Sequence, residues 1–252
     1  MNIRFLGTGY GPLKAKKNTK DYRRPASLLV DESILLDITA QTLAFANDYS
    51  LTPILRKVGS VLVTSVSEER FSAESLIELS KMNKTLAVYG DPAFRAFIPE
   101  DPSIVFHEVK PGEIFDMQNA KCIALPTLYA TEKAPAIGYA VCTDRSLLYM
   151  LDGGFLHPDA WDLLKKLQFD LAVLGCPQGD APVGAATVTS ANHEMAKLLR
   201  SVFADAGTLT KNARCFLSSI PMEKKRSMHD SLLALIQDSS FSVAYDGLYF
   251  SL

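Results

Sequence analysis

The chain has 252 residues, 48% of them hydrophobic, enough to bury a sizeable core. Its 26 basic residues face 28 acidic ones, so no global field favours nucleic acid or an anionic membrane. There is no run of about 18 apolar residues and no apolar stretch near Met1, which argues against a helical membrane span or signal peptide and points to the cytoplasm.

Residues 2 to 6 alternate as a strand and meet Gly7-Thr8-Gly9-Tyr10-Gly11-Pro12, a glycine-rich turn. No helix follows at once, so a dinucleotide or phosphate loop is not indicated. Lys14, Lys16, Lys17, Lys20, Arg23 and Arg24 stand against the single acid Asp21. This segment reads as an arm gripping a phosphate backbone or as a solvated loop. With Tyr22 its only aromatic, the solvated loop is favoured. Residues 28 to 30, a turn at Asp31-Glu32-Ser33 and residues 34 to 37 form a β-hairpin ending in Asp37. Residues 41 to 49 suit a helix.

Val61-Leu62-Val63 is a short buried strand. The sequence turns polar from Thr64 to Arg70, and Ser72 then caps a helix with Glu74 in its first turn. A polar loop between a buried strand and a helix is where α/β folds place chemistry. Further strands are expected at residues 86 to 89, 103 to 110, 122 to 126, 138 to 141, 147 to 150, 169 to 174 and 213 to 219. Short helices are expected from Asp91-Pro92, over residues 163 to 167, from Ser190 to about Phe203, and over residues 229 to 236. His107 reads as a satisfied sheet residue. Cys176, at a strand end with no adjacent histidine, reads as an inert thiol rather than a nucleophile. Cys122, Cys142, Cys176 and Cys215 are widely spaced and suit free thiols of a reducing compartment. Lys224-Lys225-Arg226 forms a second basic patch.

The stretch from Val61 to Phe71, V-L-V-T-S-V-S-E-E-R-F, resembles the signature of the metallo-β-lactamase superfamily, in which a strand ends in Thr-His-x-His-x-Asp-His ahead of a helix. Thr64, Phe71 and the flanking elements match. The metal-binding positions do not: Ser65 and Ser67 replace the leading histidines, Glu69 the aspartate, and Arg70 the last histidine. Other positions follow the same order. Leu6-Gly7-Thr8-Gly9 resembles the opening strand end, and Asp37 resembles the hairpin aspartate, with Thr39 where a glycine is usual. Tyr129 stands where a histidine precedes Gly138-Tyr139. Tyr149-x-x-Asp152-x-Gly154 resembles the turn whose aspartate bridges two metals. Val188 and Ser219 occupy further histidine positions. Ala244-Tyr245-Asp246-Gly247 resembles the cyclic-phosphodiesterase and tRNA 3′-processing side of the superfamily.

The resemblance implies an α/β fold, a four-layer αβ/βα sandwich formed by residues 1–252 as one domain. It also implies a dinuclear metal cleft, yet Asp152 alone is retained, Glu69 is a conservative change, and the other ligand positions are lost. Serine hydroxyls are poor zinc donors, and Arg70 puts a permanent positive charge where a dication would sit. The chain has only four histidines, His107, His157, His193 and His229, too few and too scattered to refill the site. No metal ligand set and no resident cofactor are therefore expected. The leading expectation is a homologue without dinuclear zinc hydrolysis whose cleft serves binding or regulation. Its candidate chemical groups are Asp152, Glu69 and His157, and its candidate binding groups are Ser65, Ser67, Arg70, Tyr129, Asp37 and Ser219. Arg70 would hold a small anionic or phosphate-bearing ligand, or would pair with Glu69 or Asp152 in place of the metal charge. The alternative is an active metal-dependent phosphodiesterase. There Glu68, Glu69, Asp37 and Asp152, helped by His157, would hold Mg²⁺, Mn²⁺ or zinc. RNA is not favoured as a partner, no membrane is expected, and the resemblance admits a homodimer.

Overall fold

The computed structural model describes residues 1–11, 19–130, 135–154, 156–182, 190–222, 228–237 and 241–252. Two seven-stranded mixed sheets lie face to face with helices on their outer sides. The first sheet contains β1 (Asn2–Gly7), β3 (Ser27–Val30), β4 (Ile34–Leu36), β5 (Ser60–Leu62), β6 (Leu86–Gly90), β7 (Ile104–Glu108) and β16 (Tyr249–Ser251), ordered 16-1-3-4-5-6-7. The second contains β8 (Ile114–Met117), β9 (Ala120–Ala130), β10 (Pro135–Cys142), β11 (Ser146–Met150), β12 (Phe169–Gly175), β13 (Leu209–Ser218) and β15 (Phe241–Val243), ordered 15-13-12-11-10-9-8. A short parallel pair, β2 (Gly9–Tyr10) with β14 (Ile220–Pro221), bridges the two halves. Each sheet is parallel at one end and antiparallel at the other. β4 to β7 run parallel, as do β11, β12, β13 and β15.

Strand alternation decides which core each side chain enters. Ile137, Tyr139, Val141, Leu147, Tyr149, Leu171, Val173 and Phe216 face the space between the sheets. Their neighbours Ala140, Leu148, Ala172, Leu174, Cys215 and Leu217 face the outer helices. Those helices are α4 (Pro158–Leu164), α5 (His193–Asp205) and α6 (His229–Ile236). On the first sheet, α1 (Ala40–Asp48), α2 (Thr52–Leu55) and α3 (Ala73–Met82) supply Phe45, Leu55, Leu76 and Leu79. Ser72 caps α3 by accepting from the Ser75 N–H at 3.2 Å, with Glu74 in the first turn and Lys81 in the last, all favourable to the helix dipole. Asp91 caps the 3₁₀ helix Pro92–Phe97.

Three expectations need correction. The helix expected over residues 163 to 167 starts earlier, because Pro158 presets the first helical φ and His157 caps it. The next helix is capped by Asn192, whose side chain accepts from Met195 N–H at 2.9 Å, rather than by Ser190. Arg23 and Arg24 do not belong to a solvated loop: both are buried. Arg24 pairs with Asp48 at 2.8 Å, and its guanidinium carbon lies 5.0 Å from the rings of both Tyr22 and Phe45. An arginine caged by rings and carboxylates loses its hydration without losing its charge. Lys14, Lys16, Lys17 and the patch at Lys224-Lys225-Arg226 lie outside the described residues. Among the described residues, no helix is long and apolar enough to cross a membrane.

Candidate functional site

The C-terminal ends of β4, β5, β11 and β13 converge, as the crevice rule for open sheets requires. Asp37 directly follows β4 with φ of 61°, and Ser219 directly follows β13 with φ of 54°. Non-glycine residues avoid this left-handed region, at a cost of roughly 1–2 kcal/mol each, so both turns are sharp bends held by their surroundings. Behind β5, the amides of Arg70 and Phe71 both donate to the Ser67 carbonyl at 2.9 Å, winding residues 67 to 71 into a tight turn. The Arg70 carbonyl in turn accepts from Ile38 N–H at 3.1 Å, which ties this turn to Asp37. Asp152 is set by a close approach: a Cβ on Gly175 would lie 1.8 Å from the Leu151 carbonyl oxygen, so only glycine lets β12 run beside that residue.

These elements bring Arg70, Asp152, Asp37 and Ser219 together. Arg70 donates from Nε to Asp152 Oδ2 at 3.0 Å and from Nη2 to Asp152 Oδ1 at 3.0 Å, a two-point guanidinium–carboxylate pair. Nη2 also donates to Ser219 Oγ at 2.7 Å, and Nη1 to the Glu69 backbone carbonyl at 3.4 Å. Asp37 Oδ2 stands 4.0 Å from Nε. Arg70 is only 1% exposed and is among the largest fully buried side chains, while Asp152 keeps a small solvent-exposed fraction. Of the two partners expected for Arg70, Asp152 supplies the carboxylate, whereas Glu69 supplies only its carbonyl.

Asp37 is wrapped on its other side. Thr64 donates to it twice, from the backbone N–H at 2.8 Å and from Oγ1 at 2.8 Å, and Tyr149 donates its hydroxyl at 3.4 Å. Burial pushes the Asp37 carboxyl up to about 7, against the opposing pull of Arg70 and the Thr64 hydrogen bonds. For Arg70, burial favours losing the proton, but the Asp152 and Asp37 charges outweigh it and raise its pKa. Burial likewise raises the Tyr149 and Tyr139 phenols, keeping both neutral donors. Tyr139 donates to the Val63 carbonyl at 2.9 Å, pinning β5 from the opposite sheet.

Around this centre lie Ser67, Glu69, Tyr10 and Tyr129, all half-buried. The Tyr10 ring faces the Arg70 guanidinium at 5.9 Å, and the Tyr129 phenol lies beside it. Burial raises both phenols, with the charges of Glu69 and Asp152 adding to it. Ser65 is buried and accepts from Ser67 N–H at 3.2 Å, a local turn contact. Glu68 is exposed. His157 does not join Arg70's partners: its Nδ1 accepts from Asp159 N–H at 3.2 Å, committing that nitrogen to the α4 cap. His107 stacks on Tyr89 at 4.7 Å, and His193 Nε2 meets Glu194 at 3.0 Å. Burial raises the Cys176 thiol to about 12, as an inert thiol requires. Val188 lies outside the described residues. The sequence reading missed Tyr10, Thr64 and Tyr149 as members of the cluster. All three stood inside quoted stretches, Tyr10 in the glycine-rich turn after the first strand, but none was assigned a role there.

The metal ions implied by the resemblance do not fit these donors. Both Asp152 oxygens and the Ser219 hydroxyl are spent on Arg70, and Asp37 is spent on Thr64 and Tyr149. A permanent cation occupies the point between the carboxylates, where a second positive charge would be repelled. Among the described residues, no three His, Cys, Asp or Glu side chains are grouped to hold an ion.

No family model matches the sequence, and no curated protein matches it. Solved structures match it end to end. The metallo-β-lactamase fold protein YhfI from Bacillus subtilis is 14% identical with a TM-score of 0.73, covering 99% of this chain and 98% of that one. The short form of human tRNase Z (ELAC1) is 17% identical with a TM-score of 0.73, covering 100% and 99%. Unliganded yeast PDE1 is 10% identical with a TM-score of 0.67, covering 100% and 99%. Identity this low carries the architecture and nothing finer.

Proposed function

We propose that this chain, which has the metallo-β-lactamase fold, is a binding or regulatory homologue of the fold's hydrolases and not a dinuclear zinc enzyme. The observation that carries this reading is the two-point contact of Arg70 with Asp152, closed by Ser219 and backed by Asp37. A guanidinium stays protonated, so it supplies neither a Lewis acid nor a base to activate water. It does supply the positive charge without which two buried carboxylates would repel one another. The ligand class we assign to the cleft is a small anionic or phosphate-bearing molecule. It would be held by the neutral hydroxyls of Tyr10, Tyr129 and Ser67, with the already neutralised Arg70 behind them. This reading requires no resident cofactor.

The test is elemental analysis of the protein after expression with ample zinc and manganese and desalting, together with an assay of nitrophenyl phosphodiester cleavage. The expected result is negligible bound metal and no metal-dependent cleavage. Stoichiometric metal, or metal-dependent cleavage abolished by Asp152→Ala, would overturn the proposal.

A further inference from the structure

A second site lies apart from the Arg70 cluster. A cavity of about 300 Å³ is lined by Lys20, Tyr22, Arg24, Tyr49, Tyr245 and Asp246, none of which is a partner of Arg70. Its floor is Arg24, whose side chain is only 5% exposed. Asp48 at 2.8 Å and Asp246 at 3.6 Å hold the edges of its guanidinium. Its face is turned to the rings, with Tyr22 and Phe45 at 5.0 Å and Tyr49 at 6.0 Å. Asp246 is itself fixed, accepting from Arg24 N–H at 2.7 Å and Thr8 Oγ1 at 2.9 Å. Such a ring-and-carboxylate cage ordinarily recruits a cation, but here the cation is built in. What remains to be filled is aromatic surface: Tyr49 is 51% exposed, and Tyr245 is half-buried. At the rim stands Lys20, which is exposed, with its Nζ 5.0 Å from the Tyr245 ring and no ion pair among the described residues.

We propose that this cavity binds a small planar aromatic molecule bearing an anionic group, with the ring against Tyr49 and the anion at Lys20, whose Nζ lies over the Tyr245 ring. The Asp246 carboxylate at the floor disfavours a bare anion there, so the two halves of the ligand are needed together. The volume stands at the lower end of small-molecule sites, which suits one ring system and one charged group. The inference goes beyond the function proposed for the cleft and does not depend on it.

Adenosine 5′-monophosphate serves as the probe, with adenosine and inorganic phosphate as its two halves, measured by titration calorimetry on the full chain. The monophosphate is expected to bind saturably, and each half at least about tenfold more weakly. Tyr49→Ala should weaken binding about tenfold through lost stacking. Lys20→Ala should weaken it roughly fivefold, and less at high salt. Lys20 is exposed, so Lys20→Ala should keep the parent melting temperature. Tyr49 also stacks on Phe45 at 4.5 Å, so Tyr49→Ala is measured well below its own melting transition, and Lys166→Ala should bind like the parent. The proposal is overturned if the monophosphate does not saturate by about 1 mM. Affinity unchanged in both variants, or phosphate alone binding as tightly, overturns it equally.

Discussion

Two of the buried arginines, Arg70 and Arg24, are buried by different means. Arg70 is surrounded by fixed polar partners, a two-point carboxylate, a serine hydroxyl and a second aspartate, in a site closed to solvent. Arg24 is surrounded by rings, and one of its two carboxylates, Asp48, is half in solvent. Each has a buried aspartate beside it with a raised pKa, Asp37 at about 7 and Asp246 at about 6. The first arrangement neutralises the Arg70 charge with buried carboxylates and a hydroxyl. The second leaves aromatic faces open beside a cation. Burial of an arginine therefore says little about its role until the chemistry of its cage is read.

The largest effect expected from breaking this contrast is at Asp152. Asp152→Ala leaves the Arg70 charge buried with Asp37 as its nearest carboxylate, and should cost about 3–5 kcal/mol in denaturant unfolding. Combining Arg70→Met with Asp152→Leu should recover most of that loss, because the cost lies in the unpaired charge. A double variant as unstable as the single one would show that shape, not charge, is what the pair maintains.

The two aspartates sharpen the comparison through pH. Their folded pKa values of about 7 and about 6 exceed the unfolded value near 4, so the folded chain binds more protons across that window. Stability from these groups is therefore full below about pH 4 and falls as pH rises. The Asp246 share is lost by about 6 and the Asp37 share by about 7. Melting temperatures against pH should show Asp246→Asn flattening the lower part of this fall and Asp37→Asn its upper part. The smallest effect is expected at Asp48, whose side chain is 51% exposed. Asp48→Ala should cost less than about 1 kcal/mol, and less still in high salt.

The strands were legible because apolar runs of the right length leave few alternatives, as with Val61 to Val63 and residues 169 to 174. The hairpin ending in Asp37 and the helix capped by Ser72 were legible from turn and cap chemistry. Ser65, Ser67, Arg70 and Ser219 could be assigned to metal positions, but the bond between Arg70 and Asp152, 82 residues apart, could only be offered as one option. Arg23 and Arg24 show why charge runs mislead. Their burial depends on Phe45, Asp48 and Asp246, which sequence distance hides. His157 was placed near the cleft by its position after Asp152, whereas Pro158 and the Asp159 amide draw it into capping.

The position of β1 has a consequence for how the chain acquires this structure. β1 lies between β3 and β16, with Asn2 opposite Ser251, and the Phe5 amide donates to the Leu248 carbonyl at 2.9 Å. Its second neighbour is thus 249 residues away in sequence, so their pairing closes a long loop. Synthesis from the N-terminus leaves one side of β1 unpaired until residues 248 to 251 emerge, which exposes a sheet edge throughout. Pairing over such a separation favours slow folding, with completion of the first sheet a late event.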